Sequence, residues 1–224
     1  MLDQIIIGDK ASYDDFGASV AERSNPTPKK KSIKETVPFS NVTYDFSAIN
    51  GEVYWEEREL NYVFEIIADT PEALEEKKTA FANWIMNVQS EDIYDPFLAD
   101  YHYVGTFESM SYADDEGMEK TTIAVKFLAY PYAIANVQTE YNFEISAQSE
   151  LEVNVFNGSA HRLTPNIFAD HVVTIKLDNV SFGIPTGDTT DDSFKLKAGE
   201  NVLTIQNTNT ADAIVAIRFY EEVF

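Results

Sequence analysis

The chain has 224 residues, 16 Lys and Arg against 38 Asp and Glu, a formal net charge of −22 and no cysteine. The missing cysteine removes any disulfide framework, thiolate nucleophile and Cys-ligated zinc or iron–sulfur site. The charge argues against a general binder of nucleic acid or anionic membrane, while 44% hydrophobic and 13% aromatic residues suffice for real cores.

Met1–Gly8 has no basic leader and too short an apolar run for a signal peptide. The least polar longer stretch, 127–137, is interrupted by Pro131 and is too short for a bilayer span, so no membrane partner is expected. Up to residue 135 there are 11 basic against 25 acidic residues, and beyond it five against 13, giving −14 and −8. Neither half is a charged tail.

The one basic cluster, Lys29, Lys30, Lys31 and Lys34, follows Asn25-Pro26-Thr27-Pro28, which two prolines stiffen. It reads either as a solvated start of a strand or as a docking patch for an acidic surface, including another copy of the chain. Next, Leu60, Tyr62, Phe64 and Ile66 alternate with more polar neighbours, a half-buried strand. Thr70-Pro71-Glu72 then carries a helix start: a capping hydroxyl, proline at the first helical position and acids near the positive end of the dipole. Leu74, Phe81, Trp84, Ile85 and Val88 fall on one stripe, predicting a helix over about 71–88 that packs on a sheet.

Tyr103–Met110 and Glu119–Tyr130 flank Asp114-Asp115-Glu116-Gly117, a hairpin loop with glycine available for a positive φ. Tyr130-Pro131-Tyr132 ends the last of these strands, because proline cannot donate to a ladder. The first 135 residues therefore predict an α+β domain of mostly antiparallel strands with one helix. Residues 136–224 show only period-two patterns, at Phe143/Ile145, Leu151/Val153/Val155, Val173/Ile175/Leu177, Leu203/Ile205 and Val215/Ile217/Phe219. Asn157-Gly158, Asp178-Asn179, Gly187-Asp188 and Gly199-Glu200-Asn201 separate them as turns, which predicts an antiparallel β-sandwich.

Residue chemistry assigns no catalytic, metal or cofactor site. His102, His161 and His171 lack ligand spacing and read as surface or strand residues. Phosphate-cradling loops and serine-hydrolase elbows are not found. Among 38 acids, chance carboxylate pairs are certain, so sequence selects no glycosidase pair. The loops Asp114–Glu116 and Asp188–Asp192 offer oxygen ligands suited to calcium but miss the EF-hand pattern, and read as hydrated turns. Trp55, Trp84, 12 Tyr and 15 Phe leave a sugar-stacking module as the alternative function, contacting host cell-wall glycans.

The order of features resembles the distal tail protein (Dit) family of siphophages. Gln4-Ile5-Ile6-Ile7-Gly8 leads into Ser12-Tyr13-Asp14-Asp15-Phe16-Gly17, similar to the family's opening strand and its short segment ending in Phe/Leu-Gly. Lys31–Val42 is similar to its basic strand, with Pro38-Phe39-Ser40-Asn41 where relatives have Pro-Gly. Tyr54–Leu60, containing Arg58, resembles a Tyr-x-x-Arg element; the helix, hairpin and Ala129–Tyr132 exit follow in family order.

The resemblance implies a structural virion protein, not an enzyme, assembled in the bacterial host cytoplasm and located at the tail tip. Its galectin-like second domain would follow an N-terminal domain that closes a homo-hexameric ring around the DNA channel. One ring face would meet the tail tube protein and the other the tail-associated hub protein; in some relatives the galectin-like domains hold receptor-binding proteins. DNA would only pass through the lumen, where an acidic wall would repel it. On this reading Lys29, Lys30, Lys31, Lys34 and Arg58 are the expected protein-interface residues.

Overall fold

The computed structural model describes residues 3–36, 38–47, 52–115 and 119–224. It divides into Met1–Ala133 with Phe224, and Ile134–Val223. The division falls two residues before the position expected from sequence.

The first unit runs β1 (Ile6–Ile7), β2 (Lys10–Ala11), α1 (Ser12–Phe16), β3 (Ala18–Ser24), β4 (Lys34–Thr36), β5 (Thr43–Asp45), β6 (Arg58–Ile67), α2 (Pro71–Ile85), β7 (Glu91–Tyr94), β8 (Tyr101–Asp114) and β9 (Lys120–Ala129). Seven of these strands form the antiparallel order β2-β1-β7-β8-β9-β6-β3. The alternation read at 60–66 is realised in β6, where Leu60, Tyr62, Phe64 and Ile66 are each 0% exposed. Opposite them in register stand Phe127, Val125, Ile123 and Thr121 of β9.

The helix α2 supplies the lid of this core. Thr70 accepts a bond from Ala73 N–H at 3.2 Å, as its capping role requires, and Leu74, Phe81 and Ile85 are buried. Phe81 packs on Phe64 with ring centroids 4.9 Å apart. The helix ends at Ile85 rather than 88: Asn87 and Val88 bond back three residues, to Trp84 and Ile85, so the last turn tightens while Val88 stays buried.

A second, unforeseen helix is α1, five residues ended by Gly17 at φ 68, whose N–H caps Ser12 and Tyr13 carbonyls. Gly17 suits this left-handed stop because it has no Cβ. Phe16 then stacks on Trp84 at 4.7 Å, tying α1 to α2. The long hairpin appears as β8 and β9 paired down to Asp114↔Thr121, with a bulge between Phe107 and Ser109. Its expected turn residues Glu116 and Gly117 lie outside the described residues.

The second unit contains strands only: β10 (Ala133–Ala135), on the division, then β11 (Thr139–Ile145), β12 (Ser149–Asn157), β13 (Asn166–Ala169), β14 (Val173–Leu177), β15 (Val180–Ile184), β16 (Gly187–Thr190), β17 (Gly199–Asn207), β18 (Ala213–Phe219) and β19 (Glu222–Val223). Two four-stranded sheets, β11-β18-β13-β16 and β12-β17-β14-β15, share one core drawn from the inward residues of both, a sandwich. Asp178 and Asn179 both take positive φ and join β14 to β15, with Leu177 opposite Val180.

Removing the aromatic centre of the first core tests this packing. Phe81→Ala should lower unfolding free energy by about 3–5 kcal/mol, read by chemical denaturation of the full chain.

Candidate protein-interaction surfaces

The segment joining β3 to β6 contains a short two-stranded ribbon of β4 and β5, which Phe46 N–H extends by donating to Ile33 O at 2.8 Å. A second short pairing lies nearer β6, where Lys31 N–H donates to Tyr54 O at 2.8 Å and Glu56 N–H to Lys29 O at 2.7 Å. Among the described residues, β4 and β5 form a sheet of their own. Residues directly opposed in a ladder share a face. Lys34 opposes Asp45 and Thr36 opposes Thr43 on one side; Glu35 opposes Tyr44 on the other, where Ile33 and Phe46 also lie.

That second side is apolar and open to water. Ile33, Tyr44 and Phe46 are 54%, 53% and 40% exposed, and the two rings stack 6.3 Å apart. Val42 extends the row and is also exposed. At the tip, Phe39 is fully exposed with φ 64, a left-handed conformation unusual for a side chain of its size. A lone two-stranded ribbon is at best marginally stable in water.

Lys29, Lys30, Lys31 and Lys34 all lie exposed along this segment. Glu56 pairs in backbone register with Lys29, so the base is mixed in charge, while residues 29–47 carry four lysines against Glu35 and Asp45. The Ser47 hydroxyl and backbone N–H hold Asp45 below the usual carboxylate range, helped by Lys34 and Lys30.

Arg58 is not part of that exposed surface. It is 3% exposed because β6 turns its side chain into the unit, where Nη1 donates to the Tyr103 hydroxyl at 3.1 Å and the guanidinium lies 5.2 Å from that ring. Its buried Nε meets no acceptor. Sequence reasoning also missed a half-buried ion pair between residues far apart in the chain. Arg23 Nε bonds both carboxylate oxygens of Asp95 at 3.1 and 2.9 Å, its Nη2 lies 3.0 Å from Asp3, and Phe97 covers it at 4.4 Å. Burial, and then the Asp95 charge, push the Tyr62 hydroxyl far above its ordinary pKa.

At the other end of β6 the surface is acidic. Ile67 pairs with Lys120, Ala68 N–H donates to Glu119 O, and Lys78 of α2 bridges Glu75 at 2.7 Å and Asp114 at 3.1 Å. Lys120 is held by Glu65 at 2.8 Å and Lys77 donates to the Ile67 carbonyl at 3.0 Å, while Glu72 and Glu76 lie exposed on α2. Ile67 and Tyr112 are exposed there, at 62% and 44%, on opposite faces of the sheet: Tyr112 pairs with Ile123 on the face of Phe64, whereas Ile67 follows the outward parity of Glu65. The Thr121 hydroxyl, 2.6 Å away, and then Lys78 hold the Asp114 carboxyl below its ordinary range. Glu75, and secondarily Asp114, raise Lys78.

Elsewhere the polar groups serve the fold. Each histidine lies beside one carboxylate: His102 by Asp92 at 3.6 Å, His161 by Glu222 at 3.1 Å, His171 by Asp170 at 3.0 Å. Among the described residues no three His, Asp or Glu converge as a metal site, and no helix is long and apolar enough to cross a membrane. The stretch 188–192, expected as a hydrated turn, is strand β16 up to Thr190; beyond it Asp191 accepts from the Ser193 N–H and hydroxyl, and Asp188 lies 3.4 Å from Arg218. In the second unit an open depression of about 400 Å³ is lined by Gln148, Ser149, Glu150, Gln206, Asn207 and Thr208. The Asn207 amide is already spent on the carbonyls of Ile145, Ser146 and Ala211.

No protein-family profile matches the chain, and no curated protein sequence does. Among solved structures, the crystal structure of SPP1 Dit (gp 19.1), described as a paradigm of the hub adsorption apparatus in phages infecting Gram-positive bacteria, aligns with a TM-score of 0.71. Identity is 14%, and the alignment covers 99% of each chain, so the two share a fold from end to end. A chain of the phage P2 baseplate in its activated conformation with Ca aligns over 97% of this chain and 98% of its own, at 8% identity and a TM-score of 0.41, too low to argue a common fold.

Two measurements probe these surfaces. Tyr103→Phe removes the acceptor of a buried guanidinium and should cost about 1–3 kcal/mol of stability; Arg58→Met, which removes the buried charge itself, should cost less. A lowered carboxyl contributes stability that is present above its unfolded pKa and lost as pH falls through the folded one. On acidification the Asp114 clamp therefore opens below the ordinary carboxylate range. Thr121→Val should move that opening to higher pH, followed by carboxyl NMR titration and amide exchange at the hairpin tip.

Proposed function

We propose that the chain is a structural component of a phage tail tip, a distal tail or baseplate hub protein that joins the tail tube to the adsorption apparatus. The observation that carries this reading is the end-to-end fold likeness to SPP1 Dit, whose own description places it in a hub adsorption apparatus. The ribbon supports it independently, since an exposed amphipathic β-ribbon is a device for being held by another polypeptide. No bond-making step is assigned to the chain.

In its finer form the proposal is a closed homo-hexameric ring built by residues 1–135, with a galectin-like sandwich over 136–224. The partners are the tail tube protein on one face and the tail-associated hub protein on the other, with a receptor-binding protein held by the sandwich. DNA passes through the lumen without being bound, which suits a chain of net charge −22. The site of action is the virion, after assembly in the bacterial host cytoplasm.

Mass photometry and negative-stain electron microscopy, on the chain alone and co-expressed with the tube and hub proteins of its own phage, test this. The expected result is closed rings with a central channel in at least the co-expressed sample. Monomers in both samples, with neither protein co-purifying, would overturn it.

A further inference from the structure

The second unit has one unguarded sheet edge, β15, which pairs with β14 alone. Asp178 and Asn179 close that pair as a two-residue turn, so Leu177 and Val180 exchange both ladder bonds. Alternation then bonds Phe182 and Ile184 to β14 and turns the N–H and C=O of Ser181 and Gly183 out to water. Pro185, next in that series, has no N–H and ends the open stretch. Carried through β17 to β12, the same alternation turns the backbone of Phe156 outward. There the Tyr141 hydroxyl accepts from its N–H at 3.2 Å and donates to its carbonyl at 3.3 Å.

Edge strands invite pairing with other chains unless charge, proline or a bulge protects them. Glu140 and Glu144 stand on β11, Glu150 and Glu152 on β12, and Asp188 on β16. By contrast β15 reads Val-Ser-Phe-Gly-Ile, without charge and without a break in register. Val180 at its start is 53% exposed, and a Cβ at Gly183 would meet nothing within 4 Å. The small Ser181 and the bare Gly183 leave the backbone uncovered where its bonds are free.

An unspent cation lies beside this edge. Lys176 of β14 stands directly opposite Ser181, on the face of the sheet turned away from the core. Lys197 bridges Asp178 at 2.9 Å, and Arg218 lies 3.1 and 3.4 Å from Glu140 and Asp188. Lys176 meets no carboxylate among the described residues. The acid of its own cross-strand row, Glu152, is two strands away, about 10 Å. Residues 136–224 total −8, yet none of their acids is placed for it.

We infer that β15 takes a fifth strand from a different polypeptide: an extended segment, apolar at alternate positions, with a carboxylate between them. Its apolar residues continue the row of Val180, Phe182 and Ile184, and its carboxylate meets Lys176 across the small Ser181. Main-chain bonds at Ser181 and Gly183 supply affinity, and the alternating side chains supply the choice of partner. A second copy is the wrong occupant. Its own β15 holds no acid, and its acid-bearing β11 and β12 are tied to each other through Tyr141 and Phe156. The inference rests on the partner-holding role proposed above for the sandwich and adds the place and the chemistry of the hold.

Co-expression of the full chain with the receptor-binding protein of its own phage tests this. The two should co-purify, and deuterium uptake over residues 180–185 should fall in the complex. Ser181→Pro removes a free N–H and should weaken the complex by about tenfold or more, with the melting temperature of the chain unchanged. Phe182→Pro removes a bond to β14 and should lower that temperature. Gly183→Glu has room for its side chain and should weaken the complex by repelling the incoming carboxylate, so it carries the test even where Ser181→Pro does not fold. No complex, a complex with 180–185 unprotected, or one that keeps parent strength in Gly183→Glu would each overturn the inference. Closed rings in electron micrographs beside such a failure would leave the ring reading standing. A complex with 180–185 protected but no rings would sink the ring reading and leave this one.

Discussion

Strand β6 is the constraint on which the rest of the first unit depends. Its period-two pattern turns Leu60, Tyr62, Phe64 and Ile66 completely inward, and a slip of one residue would exchange that face for Glu59, Asn61, Val63 and Glu65. Register is therefore fixed by burial. Once fixed, it determines what lies at each end of the strand. The ribbon lies between Ser24 of β3 and Arg58 of β6, and α2 starts just beyond Ile67 with its capping threonine and acidic first turns. The lysine-bearing ribbon and the carboxylate-rich start of α2 therefore lie beyond opposite ends of one strand.

Much of this frame was legible in the sequence because it rests on local chemistry. The capping threonine and Pro71 located the start of α2, and alternation located β6 and β9 to within a residue or two. Asp178-Asn179 marked a turn, and the structure makes it a tight hairpin with two successive positive φ values, which few residues tolerate. The end of α2 was less legible, since no glycine closes it and the final turn simply tightens. The five residues of α1 carry too little periodicity to be read as helix; only Gly17, once its φ is known, marks the stop.

What the sequence could not disclose was direction. The lysine cluster read as a candidate docking patch from composition alone, but its ribbon has an apolar side only because Ile33, Tyr44 and Phe46 fall on the same face of the ladder. Arg58 was expected beside those lysines, being a basic residue in a family-like element; strand parity instead points it inward onto Tyr103. Likewise Asn157 and Asn201 read as turn residues, whereas each is 1% exposed and its amide clasps two or three backbone carbonyls of the sandwich, as does that of Asn207. Turn composition and buried polar clasps use the same residue type, and only burial separates them.

The large negative charge bears on assembly less than its size suggests. At physiological ionic strength exposed charges are screened beyond about 8 Å, so the total of −22 is felt between copies only where their surfaces nearly touch. Contact is then decided by what those few residues present. A chain acidic almost everywhere, with one lysine-bearing ribbon, has few ways to approach its own copy without bringing like charges together. The acid excess thereby disfavours most approaches of one copy to another, and the lysine-bearing ribbon is the part of the described surface least subject to that repulsion.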